Sequence, residues 1–437
     1  MGLKPQLPML IHRIVNGAGI FVNRRGAFLF LMGAAVVTKL IASAVFPASN
    51  DLSDIVAFAG PGNPAPFGPW MTLEVGIFNM WRSSTSSTIT GVDWSMTPPA
   101  TMPFNLALLS LILRVPAFSF DLGIAIVLYF MVAKLASVNE ARFAALLWFL
   151  NPYTIFTIEL LGVPDVAAAF FTLCTVACLA NKRTFLAALF YAFGIALKLY
   201  PILLLPPLLI YLSKRIEFGN RAKGLMALAG LAGLAGYISW VFPGGAANLL
   251  LYEYSPVTQP LSLYIPYQPS FARVSAATIF LVLLYFATWY FANSPNITDW
   301  ILPVLLIYFT FSYLYPQYLI WALPFLTLDI VVLKRSRALL LTALLSCVFL
   351  YWFISSAGLS TPSGYSLLMF PLTGHNLPQY SRALTSFLTS TLTGFLILPI
   401  IQSTLYAVSF VYALEIIRGW LPASVKAALG DQSVRTK

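Results

Sequence analysis

Six charged side chains lie in the stretch between Pro47 and Ser119: Asp51, Asp54, Glu74, Arg82, Asp93 and Arg114. Charge is scarce in this chain, and four of its 14 acidic residues fall here. A carboxylate a few residues beyond an apolar span can take the proton from an acceptor hydroxyl. A Lys or Arg at a membrane surface can hold a phosphate through charge-assisted hydrogen bonds. Asp51 and Asp54 have the first position, while Arg82 and Arg114 have the second. Lys198, Arg273 and Arg382 share the second type further along the chain. The spacing therefore suits chemistry on a lipid phosphate at a membrane surface.

The elements that must position these groups are apolar spans. Charged residues make up 9% of the chain and hydrophobic residues 59%. The mean hydropathy is +0.84. Long apolar runs recur from Gly26 to Ile417, which predicts an all-α polytopic membrane protein. Short alternating segments of the kind a β-barrel needs are absent from the sequence. The net charge of +11 comes from short basic clusters between apolar runs, so it indicates membrane orientation and no nucleic-acid partner. The three cysteines, Cys174, Cys178 and Cys347, lie inside apolar runs and read as small buried hydrophobes. The sequence shows no internal repeat.

Basic clusters at Arg24/Arg25, Lys134/Arg142, Lys182/Arg183, Lys214/Arg215/Arg221/Lys223 and Lys334/Arg335/Arg337 should all be cytoplasmic, with the N-terminus on that side. One path satisfies them within a single domain of residues 1–437. The first span covers 26–46, a first non-cytoplasmic loop 47–118, the remaining spans 119–417 and a tail 418–437. Met102–Leu113 dips into the outer leaflet as a piece separate from the span that starts at Ser119. Phe185–Leu212 must be two short spans broken at Leu197–Pro201, because Pro201 donates no backbone hydrogen bond and disfavours helical geometry at Tyr200. Leu384–Ile417 contains Pro399 and can be one kinked helix or two, which leaves the side of the tail open. On this path Arg82, Arg114, Lys198, Arg273 and Arg382 lie outside, against the basic bias. The acids Asp51, Asp54, Glu74, Asp93, Glu159, Asp165 and Glu253 share that side, where cations and acids can pair or carry separate tasks. Glu159 is expected to pair with Lys198 or Arg114. Trp240, Trp289, Trp321 and Trp352, near span ends, are expected to be interfacial anchors.

Four segments carry a family resemblance: NDLSDIVAF, LNPYTIFTIELLGVPDVAAAFF, GIALKLYPILLLPPLL and YLYPQYLIWALPF. In this order they resemble the GT-C superfamily of membrane glycosyltransferases, in particular its polyprenol-phosphate-mannose-dependent branch and the GPI mannosyltransferases. The resemblance implies a GT-C-like bundle of about 12–13 transmembrane helices with a long first non-cytoplasmic loop. It implies inverting transfer of a sugar, with mannose the expected one, from a polyprenyl-phosphate donor to a lipid-linked or membrane-proximal acceptor. Asp51 would be the general base, with Asp54 the second candidate. Lys198, Arg114, Arg273 and His375 would contact the donor phosphate. Asp165, Arg82, Tyr200, Gln317 and Tyr318 would line the substrate site. No cofactor is required by this reading, although a divalent metal is left open. The enzyme would sit in the plasma membrane of a prokaryote or the endoplasmic reticulum of a eukaryote, with its site on the non-cytoplasmic face.

Two other classes are weighed against this one. A transporter for a charged amphiphile needs charges along a path through the bundle, and apart from Lys39 most charges are placed near one face or the other. A non-catalytic scaffold subunit would tolerate loss of the acids, whereas Asp51 and Asp54 are both present. The topology is testable by itself. A cysteine at Gly62 or Thr258 should react with an impermeant thiol reagent from outside, and one at Asn220 or Ser336 should not. Outside labelling at Asn220 would make Phe185–Leu212 a single span.

Overall fold

A computed structural model describes residues 25–45, 68–85, 104–160, 162, 164–215, 217–241, 262–264, 273–311, 316–335, 338, 340–343 and 392–422. The molecule is an all-α membrane protein. Apart from one short ribbon, β1 (Ser262–Tyr264) against β2 (Arg273–Ser275), its described elements are helices and turns. By length and composition, helices at Arg25–Ser43, Leu111–Leu135 and Asn220–Ser239 can cross a membrane, and shorter apolar helices pack among them.

Helix α1 (Arg25–Val45) leads towards the first polar stretch. That stretch is less irregular than its polarity suggests, because Gly68–Thr85 forms α2. Trp70, Phe78 and Trp81 bury one face of α2. Helix α3 runs unbroken from Phe104 to Leu135 with Pro116 inside it. This corrects the expectation that Met102–Leu113 is a separate dipping piece. At about 1.5 Å per residue α3 is about 48 Å long, more than the roughly 30 Å of hydrocarbon it needs to cross.

Helix α4 (Val138–Phe149) begins on a capping box, with Ser137 accepting from the Glu140 amide and the two side chains bonded to each other. It ends before Asn151–Pro152. Asn151 caps the single turn Pro152–Thr154, and a π-helical turn, Ile155–Leu160, follows. Helix α5 (Asp165–Ala180) then runs back.

The break at Leu197–Pro201 is present. Helix α6 (Thr184–Leu197) stops where Lys198 becomes extended, a 3-10 turn covers Tyr200–Leu204, and α7 spans Leu205–Lys214. The chain reverses there, since the Tyr191 hydroxyl donates to the Pro201 carbonyl at 2.7 Å. At the open end of this hairpin Lys182 pairs with Glu217 at 2.7 Å and holds its carboxyl below the usual carboxylate range. Helix α8 (Asn220–Val241) lies against α6. A Cβ on Gly233 would sit 2.7 Å from the Ala192 carbonyl, so this crossing requires a glycine.

Helices α9 (Ala276–Phe291), α10 (Thr298–Phe311), α11 (Leu323–Val331) and α12 (Leu392–Trp420) complete the described bundle. The last is a single helix despite Pro399. Arg335 meets Asp299 at 2.6 Å and Asp329 at 3.1 Å, and the Tyr412 hydroxyl donates to Asp329. This knot joins the start of α10 to the ends of α11 and α12. Lys334 pairs with Glu140 beside it, and Lys134 with Asn181. The basic turns thus gather at one end of the bundle, and the C-terminal end of α12 lies there too.

Deep inside, Lys39 on α1 is fully buried between Asp121 of α3, at 2.7 Å, and Glu159 of the π-helical turn, at 3.2 Å. Trp148 Nε1 donates to the other Asp121 oxygen at 2.8 Å, and the Lys39 ammonium sits 4.6 Å from the centre of the Phe149 ring. Glu159 therefore pairs with Lys39, and not with Lys198 or Arg114 as expected. Two acids thus join Lys39 inside the bundle, whereas most charges other than Lys39 are expected near one face or the other. Removing one partner of a buried ion pair costs about 3–5 kcal/mol, whereas removing the whole set can be nearly neutral. Lys39→Met should lower the thermal unfolding midpoint in detergent steeply. Adding Asp121→Asn and Glu159→Gln to it should recover much of the loss. An unchanged midpoint for Lys39→Met would show that the triad does not hold the bundle.

Candidate functional site

The end of the bundle away from the basic turns brings together segments far apart in sequence. Asp165 opens α5, Lys198 and Tyr200 flank the break after α6, and Tyr318 and Trp321 lie on the 3-10 turn Pro316–Trp321 before α11. Each element is interrupted at this end for a local reason. Pro164 starts α5, Pro201 ends the α6 pattern, and Pro316 and Pro324 bracket the 3-10 turn. Interrupted backbone lets side chains point inward at one level where continuous helices would carry them past each other.

Asp165 is buried and accepts from Trp321 Nε1 at 2.7 Å. Its second oxygen faces the Lys198 ammonium at 3.5 Å, long for an ion pair. The Lys198 side chain keeps 29% of its surface exposed and lies 5.3 Å from the centre of the Tyr318 ring. Its three donors leave capacity for an anion beside Asp165. Trp321 has the Tyr200 ring nearly parallel at 3.9 Å and the Tyr318 ring at 4.5 Å. The Tyr200 hydroxyl shares a 3.2 Å hydrogen bond with Thr172. The result is a rigid slab of three rings with a carboxylate on its edge and a cation at its rim.

Arg114 reaches the same loop from α3. Gly162 has φ of +68°, and the Arg114 guanidinium fills the space a Cβ there would need. Arg114 is buried, so the cation is built into the loop that delivers Asp165.

Of the residues expected to form a site, Lys198, Asp165, Tyr200 and Tyr318 come together, and Arg114 borders them through Gly162. Arg82 lies on α2, Arg273 pairs with Tyr264 in the ribbon and Gln317 is in the 3-10 turn, but their side chains are outside the described residues. Asp51, Asp54 and His375 are also outside them. Among the described residues no group of three or more His, Cys, Asp or Glu could hold a metal ion.

Trp321 departs from expectation. It is 3% exposed and donates to Asp165, so it is buried inside the bundle and no interfacial anchor. The signal for that role is its place within PQYLIWALPF, beside Tyr318. Trp289 is 56% exposed near the end of α9, where an anchor belongs.

The Arg114–Gly162 contact makes a test. Gly162→Ala must displace Arg114 and hold a non-glycine residue at positive φ, which costs about 1–3 kcal/mol from backbone strain alone. The variant should be less stable to heat. Arg114→Ala added to it should relieve only the clash, so the double variant stays below Arg114→Ala alone. Wild-type stability for Gly162→Ala would mean that the loop does not adopt this conformation.

Residues 158–255 match a family model described as Mannosyltransferase (PIG-M). No curated protein and no solved structure matches the chain. Over the segment that holds Asp165, Lys198 and Tyr200, this chain therefore matches a GT-C-type mannosyltransferase family, and mannosyl transfer in a membrane is the activity that this match supports.

Proposed function

We propose that this protein transfers mannose, with inversion, from a polyprenyl-phosphate donor to a hydroxyl of a lipid-linked or membrane-proximal acceptor. The observation that carries the reading is the partly exposed Lys198 beside Asp165 on the Tyr200–Trp321–Tyr318 slab. The first three of these residues fall inside the matched segment.

In this reading the acceptor oxygen attacks the anomeric carbon as the bond from that carbon to the phosphate oxygen breaks. The acceptor proton passes to Asp51, six residues beyond the end of α1, with Asp54 as the other candidate. The electron pair leaves on the lipid phosphate. Lys198 stabilises that charge, with Arg114, Arg273 and His375 as further phosphate contacts. Fixed cations aimed at charge that develops in the transition state supply a large share of many enzymes' rate enhancement. Asp165 holds Lys198 and Trp321 in place. Since its oxygens already face an indole N–H and an ammonium, it is a positioning residue and not the base. Tyr200, Tyr318, Gln317 and Arg82 line the sugar and acceptor side. The non-cytoplasmic face is the one this mechanism uses.

Purified full-length protein with labelled polyprenyl-phosphate mannose and a native lipid extract should give a labelled glycolipid. Asp51→Asn keeps size but cannot take the proton, so it should lose at least about a hundredfold in turnover while still binding donor. Lys198→Gln should weaken donor use with little change in folding. Full activity in Asp51→Asn together with a dead Asp54→Asn would move the base to Asp54. Absence of product from the wild type would contradict transfer itself.

A further inference from the structure

A second feature lies between the 3-10 turn that carries Tyr200 and the basic turns. Between α7 and α9 runs a groove of about 370 Å³ lined by Ile210, Val282, Tyr285, Phe286, Trp289 and Tyr290. The lining is apolar or aromatic, and Phe286, Trp289 and Tyr290 are all more than half exposed. Tyr285 spends its hydroxyl on the Leu203 carbonyl at 2.7 Å, so it presents its ring and no free donor.

Two cations that are not part of this lining lie beyond Ile210 and Trp289, and the Lys214 ammonium is 5.9 Å from the centre of the buried Trp300 ring. Lys214, one helical turn beyond Ile210, donates to the carbonyls of Ala292 at 2.7 Å and Thr288 at 3.3 Å, beside Trp289. Arg215 donates to the Ser294 carbonyl at 3.1 Å and lies 5.5 Å from the Tyr211 ring centre. Among the described residues, no carboxylate lies within ion-pair distance of either. Their neighbours at this end, Lys182, Lys334 and Arg335, each have one. The backbone contacts anchor both heads at the C-terminal end of α9, whose partial negative charge they offset. They leave donors free on the ammonium and the guanidinium.

We infer that this groove binds an anionic phospholipid of the bilayer, with one acyl chain against Phe286 and Trp289 and the phosphate on Lys214 and Arg215. An apolar channel with two fixed cations beyond its lining complements an amphiphile with a charged head. A soluble anion lacks the acyl chain, and a zwitterionic lipid carries its own cation beside the phosphate. In the orientation that the basic clusters predict, this end faces the leaflet in which anionic lipids accumulate. The site is independent of the proposed transfer reaction, so a failure of one leaves the other standing.

The test is native mass spectrometry of full-length protein, delipidated in neutral detergent and then given dioleoyl phosphatidylglycerol or dioleoyl phosphatidylcholine. Phosphatidylglycerol should be retained at least about tenfold better, and Lys214→Gln with Arg215→Gln should abolish the preference. Because Lys214 also caps α9, Val282→Trp serves as a second variant: it fills the groove without touching either cation and should weaken phosphatidylglycerol binding. Equal retention of the two lipids by the wild type would overturn the proposal. So would a preference that survives either variant. Displacement of phosphatidylglycerol by an equal concentration of undecaprenyl phosphate would overturn it too, giving the groove to a prenyl lipid instead.

Discussion

The arrangement rests on an ionic contact in the least hospitable part of the molecule. Lys39 is enclosed among apolar helices, where Asp121 meets it at 2.7 Å and Glu159 at 3.2 Å. An ion taken out of water loses several kcal/mol of solvation after relaxation, so the three groups must stay together if they are to stay buried. Trp148 adds a donor to Asp121, which leaves both of its oxygens occupied. The contact ties α1 to α3 and to the π-helical turn at once. Helix α1 leads within a few residues to Asp51, and the π-helical turn leads to Gly162 and Asp165. The contact therefore fixes α1 relative to the turn that precedes Asp165.

Around that point the helices divide into two kinds of end. At the basic end they finish cleanly, and their charges are tied by short contacts such as Lys182–Glu217 and the Arg335 knot. At the opposite end proline, glycine and π or 3-10 turns interrupt them. Those interruptions leave backbone groups to be satisfied and side chains turned inward. Such irregularity is tolerated at membrane depth where it is buried in protein or lines a cavity. The Tyr200–Trp321–Tyr318 slab fills part of the space with rigid rings, which is why Asp165 and Lys198 can be held at a defined separation.

Much of this is legible in the sequence, and the exceptions have physical reasons. The break at Leu197–Pro201 can be read because proline acts locally and because the basic clusters on either side demand a reversal. The grouping of Asp165, Lys198, Tyr200 and Tyr318 follows from motif order. The continuity of α3 through Pro116 cannot be read, because the packing that tolerates an interior proline comes from other helices. Asp121 escapes notice although an acid inside an apolar run signals a partner. That partner is 82 residues away, and only the folded chain shows it. Trp321 misleads for the same reason: proximity to a span end suggests an anchor, while the carboxylate that takes its N–H lies 156 residues earlier.

Capture of the donor phosphate at the Lys198 end of the bundle is central to the proposed reaction. It is tested most directly by photo-crosslinking with a polyprenyl-phosphate mannose analogue that carries a diazirine next to the phosphate, followed by peptide mapping. The expected adducts fall on the peptides that contain Lys198–Tyr200 and Tyr318–Trp321, and unlabelled donor competes them away. Competable adducts confined to the peptides around Lys214 and Trp289 would contradict that placement.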